Sequence, residues 1–248
     1  MVTSVSPKAF ARLTLITVGS LMLALLAPAV SSETNNLHLA VAFLFAGMMG
    51  ALISLAASRR QRLLDAVRVE LNKLRRLYHV SKNLAATSQD YRPWFTDLHG
   101  HIYNYLNRFV GGDFESYDGY NRDFRAISYH VYTIPALHGA KEQVLFEDLL
   151  RTTAAVAEAR QQIKELWDNR LSFHVWMMVL MMALMFAGSV LIAAPADTVG
   201  RLVAGFALGT GFLAVDYLWK TDSLSSERHN LSKRYVDNVG KLELGRRD

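Results

Sequence analysis

The chain contains no cysteine, which excludes disulfides, thiolate nucleophiles and cysteine-based zinc sites while leaving the compartment open. It has no P-loop, GxSxG, GxGxxG or kinase-type motif, no HExxH, and no pair of histidines four residues apart. Nothing in it supports an enzyme or a cofactor site. Charge is also missing, but only locally. Four runs are nearly free of it and long enough to cross a bilayer as helices, which takes about 20 residues. They are 13–30, 37–57, 171–194 and 199–219. At 51% hydrophobic and 20% charged residues, the composition averages two environments.

The first run has a second reading. Lys8 and Arg12, the apolar stretch and Ala27-Pro28-Ala29 together have the pattern of a secretory signal with its cleavage site. The short connection to the next run suits a hairpin, and retention of the segment is the expectation. Orientation follows from Lys and Arg. The connections 31–36 and 195–200 have none, whereas 58–170 has 17 and 220–248 has seven. Both termini and the middle segment are therefore expected in the cytoplasm, and a bacterial inner membrane is the expected location. Basic runs such as 59–62 fit anionic headgroups rather than nucleic acid.

The middle segment repeats apolar residues at spacings of three and four, the mark of helices that bury one stripe. The stripes are Leu64 to Tyr78, Tyr91 to Phe109, Tyr117 to Ile134 and Leu145 to Leu166. Breaks fall at Ser88–Pro93, Gly111-Gly112, and Pro135 with Gly139. No break is evident between the second run and the first stripe, or between the fourth stripe and the third run. Two helices of about 50 residues are expected there, each on the order of 75 Å long. The tail 220–248 reads as an extension of the fourth run, with Leu224, Leu231, Tyr235 and Leu242 on a sparse apolar side. The expected organisation is all-α: a membrane hairpin (1–57), a helical domain (58–170), a second hairpin (171–219) and a helical tail.

Several residues invite a functional reading. Asp216 is an acid near the inner end of the fourth run, four residues before Lys220. It reads either as an interfacial end-marker beside Tyr217 and Trp219, or as an ion or proton site. His174 reads as a packed interfacial side chain or a pH sensor. Arg201 reads as a snorkelling side chain or an anion attractor. Ala46, Gly50 and Ser54, with Gly205 and Gly209, have small-xxx-small spacing for close helix packing. Phe45, Met49 and Leu52 are the candidates for a pore-lining constriction. The histidines 99, 101, 130 and 138 and the acidic stretch 113–123 lack the spacing of a metal site, so none is expected.

Four runs with a helical segment between the second and third, read with the stretches LNKLRRLYHVSKNLAATSQDYRPWFTDLHGHIYNYLNRF (71–109) and VAEARQQIKELWDNRLSFHVWMMVL (156–180), resemble bestrophin-type anion channels. They resemble still more a bestrophin-like family of mostly bacterial membrane proteins of undefined function. The resemblance implies a homo-oligomer, with five copies, and an anion-conducting pore on its axis. A second, topological resemblance is to the proton-driven stator family. A non-conducting scaffold or sensor whose helical domain binds a cytoplasmic partner is the competing class.

Overall fold

The computed structural model describes residues 7–26, 35–110, 114–195, 197–224 and 227–244. All regular elements among them are helical. They are α1 (Pro7–Leu26), α2 (Asn35–Ala85), α3 (Tyr91–Asn107), a 3₁₀ segment (Phe114–Tyr120), α4 (Asn121–Tyr132), α5 (Ala140–Asp168), α6 (Phe173–Ala193), α7 (Thr198–Asp222) and α8 (Arg228–Leu244). Among the described residues, three stretches are long and apolar enough to cross a membrane: His38–Ala85, Ala140–Ala193, whose apolar part is α6, and Thr198–Asp222. Ala11–Leu26 is a shorter apolar helix, and 27–30 lie outside the described residues.

The first expected long helix is present, since α2 runs unbroken for 51 residues. The second is not. Helix α5 stops at Asp168 and α6 starts at Phe173. Asn169 leaves helical geometry, and the Ser172 hydroxyl accepts the Val175 N–H at 3.4 Å as the N-cap of α6. Asn and Ser offer the backbone local partners that compete with the helix, and no Pro or Gly is needed for the break. The tail is likewise a separate helix. The chain leaves α7 at Ser223 and turns at Leu224, which sits at φ 54°. This left-handed geometry is disfavoured for leucine, and here the side chain is fully buried.

The chain forms two compact units. The first comprises residues 1–58 and 170–223. Helix α1 lies along α7, where small residues meet: Ser20 and Ala24 face Gly205 and Gly209. A Cβ on Gly205 would come within 2.9 Å of Leu21 Cδ2 and 3.1 Å of its Cα, so only glycine permits this approach. Gly211 similarly makes room for Phe186, whose ring stacks on Phe45 at 4.6 Å. In lipid such contacts act through close packing, because apolar burial between helices yields little there. The outer faces remain apolar, with Leu15, Phe43, Leu184, Val203 and Phe206 exposed. Surface of this extent suits lipid rather than water.

The second unit comprises 59–169 and 224–248. Its core draws Leu63, Val67, Leu74 and Leu77 from α2, Leu98 and Ile102 from α3, Ile127 and Val131 from α4, Val156 and Ile163 from α5, and Leu231 and Tyr235 from α8. These follow the sequence stripes, and each buried aliphatic contributes about 1.5–3 kcal/mol by removal from water. At the start of α5, Glu142 reaches back to accept the His138 and Gly139 N–H groups (2.7 and 3.2 Å) and the Tyr91 hydroxyl (2.8 Å). That satisfies donors otherwise orphaned at a helix N-terminus.

Candidate functional site

In the first unit, Asp216 lies one turn before Lys220 on α7 and opposite Arg12 on α1. Its carboxylate pairs with the Arg12 guanidinium through one oxygen and with Lys220 Nζ at 2.7 Å through the other. Arg12 also lies over the Trp219 ring, 5.3 Å from its centroid. Eighteen residues separate Asp216 from the start of α7, about 27 Å at 1.5 Å per residue. If α7 spans, the cluster therefore sits at one edge of the ~30 Å hydrocarbon core. With both oxygens engaged by cations, a carried ion would have to displace a guanidinium or an ammonium group.

The other sequence candidates are dispersed. His174 is exposed in the first turn of α6. Arg201, in the first turn of α7, donates to the Leu25 carbonyl at 2.8 Å and so caps the end of α1. Phe45 and Met49 are buried in the first unit's own core, and Leu52 is partly buried against it. The two small-residue stripes differ. Gly205 and Gly209 are consumed by α1, whereas Ala46, Gly50 and Ser54 form an exposed face of α2, with nothing within 4 Å of a Cβ built at Gly50.

A buried polar constellation in the second unit was not singled out by any sequence reading. Glu70 on α2 is wholly buried. Its carboxylate accepts hydrogen bonds from three phenols: Tyr105 of α3, Tyr117 of the 3₁₀ segment at 2.9 Å and Tyr235 of α8 at 2.5 Å. Arg160 of α5 pairs with it at 3.5 Å, donates to the Tyr105 oxygen, and lies over the rings of Tyr105, Tyr117 and Phe124 at 4.7–4.9 Å. One acid thus ties four other elements together. Burial, and then the negative Glu70, push all three tyrosines well above their ordinary pKa, so they stay protonated donors. Burial works against the Arg160 charge, but the surrounding phenol and carboxylate oxygens outweigh it and raise its pKa. A signal for the pair was available. Glu70 falls three residues after Val67 and four before Leu74, and Arg160 four after Val156 and three before Ile163, so both charges sit on core stripes.

Several of the remaining polar candidates have local partners. His99 packs near Tyr78 and Phe95, and His130 exchanges hydrogen bonds with the Trp94 backbone and indole (2.9 and 3.0 Å). In the acidic stretch, Asp118 pairs with Lys164 at 2.9 Å and Asp123 with Arg108 at 3.3 Å.

The model of the Bestrophin-like domain covers residues 37–216, from the start of α2 to the acid near the end of α7. No curated protein and no solved structure matches the chain. The matched region takes in α2, the second unit's α3–α5, and both later apolar helices, well over half the sequence. The chain is thus a member of the bestrophin-like family of membrane proteins.

Proposed function

We propose that the protein is a four-span channel, assembled from several copies and selective for anions, with its pore along the assembly axis. Five copies follow from the family resemblance. The termini and residues 58–170 lie on the cytoplasmic side, as the distribution of Lys and Arg favours. The observation that supports the reading best is α2. One face, with Phe45 and Met49, is saturated by α6 and α7. The opposite face, Ala46, Gly47, Gly50, Ala51 and Ser54, is exposed and has no partner among the described residues. From Ala46 to Ser54 this face is small and weakly polar, bounded by the exposed Phe43 one turn earlier, and is suited to close approach of neighbouring copies or to an axial water path.

A competing reading is a non-conducting scaffold, favoured by Tyr129 and Tyr132, which stand exposed on α4. Chloride flux from liposomes containing the purified chain separates the two. The channel reading expects flux above protein-free vesicles that scales with protein. Flux equal to that of empty vesicles at both signs of voltage supports the scaffold instead.

A further inference from the structure

The first unit carries a groove of about 520 Å³ between α1, α6 and α7, within the ~300–1,000 Å³ of small-molecule sites. Its floor is apolar, formed by Leu15, Ile16, Leu23, Phe212 and Val215. One end is polar, with Arg12, Asp216, Trp176 and Trp219. The groove follows α1 from Arg12 to Leu23, about 16 Å at 1.5 Å per residue, or roughly one leaflet of a ~30 Å core. Within the cluster Arg12–Asp216–Lys220 two cations share one acid, while the next acid on α7, Asp222, is turned to the Leu171 N–H and the Trp176 indole N–H. Arg12 remains 45% exposed despite that pairing.

We infer that this groove binds one anionic glycerophospholipid of the inner leaflet, with an acyl chain along Leu15–Leu23 and the phosphate at Arg12. The inference rests on the membrane reading of the helices but not on conduction. A helix from another protein fits less well. The groove is one leaflet deep rather than a full span, and the charged residues that line it, Arg12 and Asp216, lie at one end. Tyrosine and tryptophan at that depth are the usual flank of a lipid headgroup.

The test uses the whole chain in phosphatidylcholine vesicles containing a few mole per cent of brominated phosphatidylglycerol or brominated phosphatidylcholine. Bromine on the acyl-chain carbons nearest the headgroup quenches adjacent indoles, and Trp176 and Trp219 line the groove at that end. One net charge near the surface corresponds to about a fivefold preference for the anionic lipid. The result expected is stronger quenching by brominated phosphatidylglycerol at equal mole fraction. The preference falls to about one in Arg12→Gln and rises further, about fivefold again, in Asp216→Asn. Gly19→Leu is the second variant. No atom lies within 4 Å of a Cβ built there, so leucine enters the groove without displacing the fold and should lower quenching by both lipids. Equal quenching by the two lipids, unchanged in all three variants, overturns the site while leaving the membrane reading intact. Absence of quenching by either lipid overturns both.

Discussion

Replacing Glu70 by glutamine removes one charge and almost no volume from the second unit, and the consequence follows from the network around it. The carboxylate is wholly buried, and the Arg160 it neutralises is almost wholly buried. Breaking such a pair by removing one partner typically costs ~3–5 kcal/mol, because the other charge is left uncompensated in a dry interior. The glutamine amide retains one acceptor oxygen, so some phenol hydrogen bonds survive. Each one lost adds ~1–3 kcal/mol. At a few degrees per kcal/mol for a unit of this size, the melting temperature should fall by roughly 10–15 °C. The assay is thermal unfolding of the whole chain in detergent, followed by near-ultraviolet circular dichroism, which reports the packed tyrosines. Arg160→Met alone should be similarly damaging. In the double variant Glu70→Gln/Arg160→Met neither charge remains, so its loss should be clearly smaller than the sum of the singles. A drop below ~3 °C for Glu70→Gln, or strict additivity in the double variant, refutes the claim that this ion pair locks the helices together.

The same network predicts alkaline behaviour. Tyr105, Tyr117 and Tyr235 have folded pKa values above the ordinary 10.0, so they stabilise the fold below pH ~10, and that stability is lost as pH rises toward their folded values. Three of the ten tyrosines should therefore form phenolate only together with unfolding, as ultraviolet difference absorbance would register. Glu142 carries the opposite sign. The His138 N–H, then the Tyr91 hydroxyl, depress its pKa below 4.5, so its contribution is present above that value and fades as pH falls through the folded one. Hydrogen-exchange protection at His138 and Gly139 should drop in acid in the native chain and become pH-independent in Glu142→Gln. Finally, Gly205→Val should destabilise the first unit by ~1–3 kcal/mol, because its Cβ meets Leu21 main chain as well as side chain. Gly50→Ala, with open space around it, should leave melting of the dissociated protomer unchanged or higher.

Much of the fold was legible because lipid-facing and water-facing helices differ in where charge is absent. The uncharged runs became α1, the first part of α2, α6 and α7, and the apolar stripes became α2's later turns, α3, α4, α5 and α8. The break at Asn169–Ser172 was not legible, because it rests on a serine cap and on the Leu171 N–H accepted by Asp222 at 3.1 Å, a partner 51 residues away. Nor was the turn at Leu224, where a leucine adopts a conformation that its sequence neighbours do not announce. The functional residues were harder for a related reason. Small-residue spacing on α2 and α7 looks the same in sequence, yet α7's stripe is filled by α1 and α2's is open. Phe45 and Met49 share that ambiguity, since an apolar side chain in a span packs equally well on a neighbour, on lipid or on a pore. Glu70 and Arg160 were hidden among many solvated charges, although their spacing from core positions marked them.

The absence of cysteine permits a direct test of the open α2 face. Single Cys substitutions at Ser54 and at Phe45 can each be exposed to a charged, water-soluble thiol reagent while chloride flux is followed in liposomes. The account predicts that Ser54→Cys reacts and that its modification reduces flux, whereas Phe45→Cys, enclosed against Phe186, stays unmodified with its flux unchanged. Modification and block at Phe45→Cys with an inert Ser54→Cys would contradict it.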